Sequence, residues 1–120
     1  MSRFHSTTKS FGYAFEGVRT AFKKEPNLQI HTIVGMAVLV FAGVVGFSLF
    51  EWIILLFTIA FVILLELVNT SLEALVNLVS PDIKPQAKVA KDVAAAAVLL
   101  SAILSIIVGI LLFFPKLDVF

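Results

Sequence analysis

Two carboxylates and one amide recur at helical spacing inside an apolar stretch of the sequence. Glu66, Asn69 and Glu73 fall within about 60° of one another on an α-helix. The surrounding residues, from Trp52 to near Val79, are otherwise mostly apolar. Acidic side chains in a membrane-spanning segment are costly and are by default candidates for a functional site. We therefore interpret Glu66, Asn69 and Glu73, here called the polar stripe, as the centre of an active site.

The charges predicted near the polar stripe favour a bound cation. Glu25, Glu66, Glu73 and Asp92 outnumber Lys91 at one predicted depth. Mg²⁺ binds proteins through one or two carboxylates together with substrate phosphates. A carboxylate held away from water also suits a general base. The alternative is a cluster of interhelical hydrogen bonds that only joins helices, and the excess of acids argues against it.

The composition indicates an integral membrane protein with one domain, residues 1–120. Of its 120 residues, 60% are hydrophobic and 14% are charged, whereas about a quarter of the residues in a soluble domain are charged. The absence of cysteine excludes disulfides and thiolate catalysis. Neither GxxxxGK[ST] nor GxGxxG is present, so neither common phosphate-binding loop is predicted. Residues 1–10 lack the apolar region of a signal peptide.

An amphipathic surface helix is predicted for residues from about 4 to 24. Phe11, Phe15, Val18 and Phe22 recur at spacings of one helical turn, and most charged residues lie off that face. Such a helix is suited to the membrane interface. A chain break is predicted at residues 25–27, since a residue before proline is driven out of the helical region.

Three membrane spans are predicted, at about residues 28–50, 52–79 and 90–114. A loop is predicted at residues 80–85, which contain two prolines. The predicted fold is thus an all-α membrane protein, with the N-terminal surface helix followed by three transmembrane helices. Small residues along one face of the third span favour close helix packing.

The distribution of basic residues predicts the orientation. Five lysines and arginines precede the first span, and Lys84, Lys88 and Lys91 lie between the second and third spans. By the positive-inside rule, the N-terminus and the 80–92 loop are cytoplasmic, which predicts a multi-pass protein of the cytoplasmic (inner) membrane. Glu73 then lies at the cytoplasmic interface, and Glu66 lies about 10 Å deeper.

The motif E-x-x-N-x-x-x-E at residues 66–73, with Ala90-Lys91-Asp92, resembles the small bacterial integral-membrane diacylglycerol kinase family. Residues 22–31 are similar to its Gram-positive branch, the undecaprenol kinases. The resemblance implies a homotrimer whose active sites are shared between subunits. It also implies transfer of the ATP γ-phosphate to a lipid hydroxyl with Mg²⁺.

The resemblance assigns roles to individual residues. Glu66 would be the catalytic base, and Glu25 and Glu73 would hold the metal. Further nucleotide contacts are implied for Tyr13, Asn69, Asp82, Ile83, Lys84, Lys91 and Asp92. Candidate substrate contacts, beside Glu66, are Asn27, Leu28, Gln29 and His31. A family arginine aligns with Ser6, and the sequence leaves open whether Arg3 replaces it.

The predicted function is an ATP- and Mg²⁺-dependent lipid kinase that phosphorylates undecaprenol. The first alternative is a diacylglycerol kinase that makes phosphatidic acid. The second, from another class, is a small oligomeric ion-coupled transporter, which would place ionisable residues at several depths. A third is a packing subunit of a larger complex, in which Glu66→Gln would be harmless. No nucleic-acid partner is predicted.

Overall fold

The computed structural model describes residues 6–117 as a chain of helices. The elements are α1 (Thr7–Lys24), α2 (Pro26–Val45), α3 (Leu49–Val79), α4 (Pro85–Phe113) and a 3-10 turn (Phe114–Leu117). Three of these segments, beginning at Pro26, Leu49 and Pro85, are long and apolar enough to cross a membrane. The predicted all-α architecture with one preceding helix is therefore confirmed.

Helix α1 is amphipathic and ends at a sharp change of direction. The side chain of Ser6 accepts a hydrogen bond from the backbone N–H of Lys9, which caps the start of the helix. Phe11 and Phe15 stay exposed on its surface, as suits an interfacial helix. Glu25 takes an extended backbone conformation and joins α1 to Pro26, the first residue of α2. The predicted helix began at about residue 4, but residues 4 and 5 lie outside the described part of the chain.

The observed helix bounds differ from the predicted spans for identifiable reasons. Helix α2 ends at Val45, five residues before the predicted end, because Gly46 adopts a left-handed conformation with φ of 83°. Helix α3 begins at Leu49 because Ser48 and Glu51 form a reciprocal capping box. Helix α4 begins at Pro85, five residues before the prediction, since proline is favoured in the first helical turn. Residues 85–92 of the predicted 80–92 loop are therefore helical.

Helix α3 is the central element and packs against α1, α2 and α4. Its 31 residues span about 46 Å at about 1.5 Å per residue. That length exceeds the membrane hydrocarbon core of about 30 Å. The helix is thus longer than the core by about 16 Å, or about three turns, and this excess length is available for contacts with water-soluble groups.

The end of the bundle opposite Glu66, here called the distal end, is closed by apolar packing and one ion pair. The buried cluster there is formed by Ala42, Phe47, Leu55 and Leu112. The Nζ atom of Lys116 lies 2.8 Å from Oε1 of Glu51. These contacts join α2 and α4, with the 3-10 turn that follows α4, to α3, the helix that carries the polar stripe.

Candidate active site

Glu66 is enclosed by the helix bundle and faces a histidine on the neighbouring helix. Its exposed fraction is 2%, although it is a carboxylate in an apolar helix. The Nδ1 atom of His31 on α2 lies 2.9 Å from Oε1 of Glu66 on α3. Both atoms are buried, and neither forms an aligned hydrogen bond with any residue between 6 and 117. Glu66 is therefore an acid whose neighbouring polar group is an imidazole ring from α2.

The remainder of the polar stripe forms its own contact one and two turns along α3. The amide Nδ2 of Asn69 donates a hydrogen bond of 2.7 Å to Oε1 of Glu73. The Oδ1 atom of Asn69 is buried and has no hydrogen-bond partner among the described residues. A buried acceptor without a partner is costly. This oxygen is consequently available to a donor or a cation supplied from outside the described chain.

Glu25 interacts electrostatically with the acids of the polar stripe. It is half-buried at the junction of α1 and α2. Burial raises the pKa of Glu25, the charges of Glu73 and then Glu66 raise it further, and Lys24 partly opposes them. Three carboxylates thus share one electrostatic environment in which a cation would relieve the repulsion.

The donor set fits Mg²⁺ that is shared with a phosphate. Within residues 6–117, no three His, Asp or Glu side chains lie close enough together to hold a metal by themselves. Mg²⁺ does not require such a cage, since one or two carboxylates with substrate phosphates suffice. Glu25 and Glu73 could supply the two carboxylates. Asn69, whose amide contacts Glu73, has a buried oxygen Oδ1 with no hydrogen-bond partner among the described residues.

Lys91 and Asp92 are not joined to the polar stripe within the described chain. The Oδ2 atom of Asp92 instead lies 2.6 Å from Nζ of Lys88, one turn earlier on α4. No ion pair or hydrogen bond between residues 6 and 117 connects Lys91 or Asp92 with Glu66 or Glu73. The predicted contact of Lys91 and Asp92 with the acids of the polar stripe is thus not formed within the described part of one chain.

The remaining predicted nucleotide contacts lie at the surface. Asp82, Ile83 and Lys84 are exposed in the connection between α3 and α4. The hydroxyl of Ser80 donates to the backbone carbonyl of Asp82, which orders this connection. Lys84 also borders a groove of about 350 Å³ between the end of α3 and the start of α4. Tyr13 lies partly exposed in the middle of α1.

The predicted substrate residues at the start of α2 have different surroundings. Asn27 is exposed, whereas Leu28 is among the most buried side chains of the described chain. The amide Nε2 of Gln29 donates to the carbonyl of Phe22, an otherwise unpaired group in the last turn of α1. Gln29 therefore links the start of α2 to the end of α1. Arg3 lies outside the described residues.

An apolar cavity that residue spacing does not predict extends from His31 along the helices. Its volume is about 220 Å³, and residues of α2, α3 and α4 line it. Apart from His31, its polar lining groups are the hydroxyls of Thr58 and Ser105. The hydroxyls of both donate to backbone carbonyls of their own helices, which leaves the cavity wall apolar.

The fold and this site define a membrane protein with an N-terminal amphipathic helix, three helices long enough to cross a membrane, and one buried acid, Glu66, near two half-buried acids, Glu25 and Glu73. Residues 12–113 match the family model for prokaryotic diacylglycerol kinase. The chain therefore belongs to the prokaryotic diacylglycerol kinase family, a family of lipid kinases, which removes the ion-coupled transporter interpretation.

Individual relatives support this membership. Undecaprenol kinase from Bacillus subtilis is 41% identical over 109 residues, which are 91% of this chain and 89% of that protein. Diacylglycerol kinase from Synechocystis sp. is 44% identical over 109 residues, covering 90% of this chain and 62% of that protein. Diacylglycerol kinase from Escherichia coli strain K12 is 25% identical over 104 residues, covering 87% and 85% of the two chains.

Proposed function

We propose that this protein is an ATP- and Mg²⁺-dependent kinase that phosphorylates the hydroxyl of undecaprenol to undecaprenyl phosphate. The observation that carries the proposal is the enclosed carboxylate of Glu66 beside an apolar cavity that begins at His31. A long-chain alcohol needs an apolar surface for its chain and a base for its hydroxyl. The similarity to a Bacillus subtilis undecaprenol kinase over most of both chains favours this acceptor.

In this reaction Glu66 takes the proton of the lipid hydroxyl. The hydroxyl oxygen forms a bond to the γ-phosphorus of ATP, and the bond from that phosphorus to the β–γ bridging oxygen breaks. Phosphoryl transfer depends mainly on positioning and on neutralising charge. Mg²⁺, when bound, would supply positive charge to the phosphate oxygens. Glu25 and Glu73 would hold it, and the contact of Asn69 with Glu73 would keep that carboxylate in place.

We propose that the active site is completed between subunits of a homotrimer. Lys91 and Asp92 do not meet the polar stripe within the described part of one chain. A neighbouring copy that presents its α4 to the polar stripe would bring these groups to the nucleotide phosphates. The other proposed nucleotide contacts are Tyr13, Asn69, Asp82, Ile83 and Lys84. The exposed loop that carries residues 82–84 suits contact with the adenine.

The proposed site lies at the cytoplasmic face of the membrane, where ATP is present. The basic residues of α1 and of the 80–92 segment support this orientation by the positive-inside rule. A base near the interface can reach a lipid hydroxyl while the lipid remains in the bilayer.

Competition between lipids tests the proposal. Purified protein in detergent micelles is given radiolabelled ATP, Mg²⁺ and equal amounts of undecaprenol and diacylglycerol, and label in undecaprenyl phosphate is the expected result. Glu66→Gln should lower kcat by about 10²- to 10⁴-fold, the usual contribution of a positioned general base. Glu73→Gln should instead raise the Mg²⁺ concentration needed for half-maximal rate. Normal turnover in both variants, or no labelled lipid from the unaltered protein, would contradict the proposal.

Diacylglycerol is the second candidate acceptor. The relative from Synechocystis sp., which is named a diacylglycerol kinase, has an identity to this chain similar to that of the undecaprenol kinase. Label found mainly in phosphatidic acid in the same competition would select this alternative.

A further inference from the structure

His31 occupies a position at Glu66 that the proposed reaction does not yet use. Its Nδ1 atom lies 2.9 Å from Oε1 of Glu66. Both atoms are buried, and neither has a hydrogen bond to another described residue. Buried polar groups are normally paired, since an unpaired one costs free energy. The two atoms are within hydrogen-bonding distance, so each can serve as a polar partner for the other.

The surroundings leave Glu66 with few other ways to be held. Its own backbone carbonyl accepts from the hydroxyl of Thr70, which does not reach the carboxylate. Asn69, one turn away, gives its amide to Glu73 and not to Glu66. Among the described residues, the side chain within hydrogen-bonding distance of Oε1 is thus His31 from the next helix.

We propose that His31 is a positioning residue that holds Oε1 of Glu66, so that the second carboxylate oxygen is presented to the lipid hydroxyl. This inference rests on the proposed function for its role in the reaction. A carboxylate has two oxygens, and a partner on one of them fixes the orientation of the other. An unheld glutamate has several rotamers, and most of them would aim the base away from the acceptor.

The location of His31 fits this role because it stands where the apolar cavity begins. One edge of the ring faces Glu66, and the residue lines the cavity between α2, α3 and α4. A lipid alcohol in that cavity would have its hydroxyl near the pair. The two helices supply one group each, so the geometry of the base depends on how α2 packs against α3.

Two substitutions at His31 separate a polar role from a steric one. His31→Phe keeps a ring of similar size and removes the nitrogens, whereas His31→Asn places a polar atom close to the position of Nδ1 with less bulk. We expect His31→Phe to lower kcat by at least about tenfold, part of the 10²- to 10⁴-fold that a positioned base contributes. His31→Asn should recover most of that loss, and KM for ATP should remain unchanged in both. Better activity in His31→Phe than in His31→Asn would overturn the proposal.

A double-mutant cycle tests whether the two residues act together. Once Glu66→Gln has removed the base, adding His31→Phe should lower kcat little further, because residues that act as a unit are not additive. If the loss of kcat in the double variant equals the product of the losses in the two single variants, the proposal is contradicted. An increase in KM for the lipid with normal kcat would also contradict it, because His31 would then contact the lipid chain itself.

A spectroscopic measurement examines the contact without relying on activity. The chain contains two histidines, so the ¹⁵N imidazole signals of His31 can be assigned in the protein with a His5→Gln variant. Glu66→Gln should shift the Nδ1 signal of His31, while the matched control Glu16→Gln on α1 should leave it unchanged. An unchanged signal in Glu66→Gln would overturn the contact. If the contact is present but no lipid is phosphorylated, the proposed function fails and not the pairing.

Discussion

Gly35 is a point of close approach between α2 and α3, the helices that carry His31 and Glu66. A Cβ atom added at Gly35 would lie 3.1 Å from Cγ2 of Ile59 on α3. This separation is shorter than an ordinary van der Waals contact, so Gly35→Ala should push α2 and α3 apart by a few tenths of an ångström. Gly35 follows His31 by one turn of α2, and Ile59 precedes Glu66 by two turns of α3. The separation of Nδ1 and Oε1 should therefore increase from 2.9 Å.

The effect on stability follows from two opposing contributions. Replacing glycine by alanine in a helix favours the folded state by about 0.8–1 kcal/mol. Overpacking a close contact costs about 1–3 kcal/mol. Gly43 provides the matched control, because it lies on the same helix and an added Cβ would have no atom of the described chain within 4 Å. The helix-propensity contribution is shared, so Gly35→Ala should be less stable than Gly43→Ala by about 1–3 kcal/mol.

Unfolding in mixed detergent micelles of increasing SDS content, followed by circular dichroism, measures this difference. Kinase assays on the same preparations should show a lower kcat for Gly35→Ala than for Gly43→Ala. Equal stability and equal kcat in the two variants would refute the reasoning that the α2–α3 contact positions the base.

Two further predictions concern charged groups at opposite ends of the bundle. Burial and Glu73 raise the pKa of Glu25 above 4.5, so its stability contribution is present below that pH and lost as the pH rises through the raised value. Without Mg²⁺, the resistance of the protein to SDS should decrease as the pH rises from 4.5 through the raised pKa of Glu25, and the Glu25→Gln variant should show no such decrease. In the unaltered protein, the Mg²⁺ concentration needed for half-maximal activity should rise as the pH is lowered. At the distal end, Lys116→Met should lower SDS resistance through loss of the Glu51 contact. The loss should be smaller than the difference between Gly35→Ala and Gly43→Ala, because partly exposed ion pairs contribute little. Lys116→Arg is the control, and no difference between the two Lys116 variants would show that the ion pair is not stabilising.

The sequence was sufficient to predict the helices and the polar stripe, because both follow from local periodicity. Spacing alone placed Glu66, Asn69 and Glu73 on one face of α3, and Asn69 and Glu73 do contact each other. The end of α2 depended on the backbone conformation of Gly46, and the start of α3 on the cap at Ser48. Gly46 and Ser48 can be read in the sequence, but apolar residues continue on both sides of them, so hydropathy alone does not indicate where α2 ends and α3 begins.

Contacts between helices could not be predicted from the sequence, since they depend on helix rotation. Nothing in the spacing of His31 and Glu66 indicates that they meet, because they lie on separate helices whose relative rotation comes from packing. Asp92 was placed near the acids by depth, but depth does not specify the direction of a side chain. Its observed partner is Lys88 on its own helix, an i, i+4 pair that the sequence does contain.

Glu51 belongs to the cap of α3 and also to the ion pair with Lys116. These two partners leave the ribosome at very different times, because Ser48 is a near neighbour of Glu51 and Lys116 follows it by 65 residues. During translation the start of α3 can be formed by its local cap, while the distal end of the bundle remains open until α4 has been made. The hairpin of α2 and α3 would thus enter the membrane first, and α4 would join it as a separate, later step.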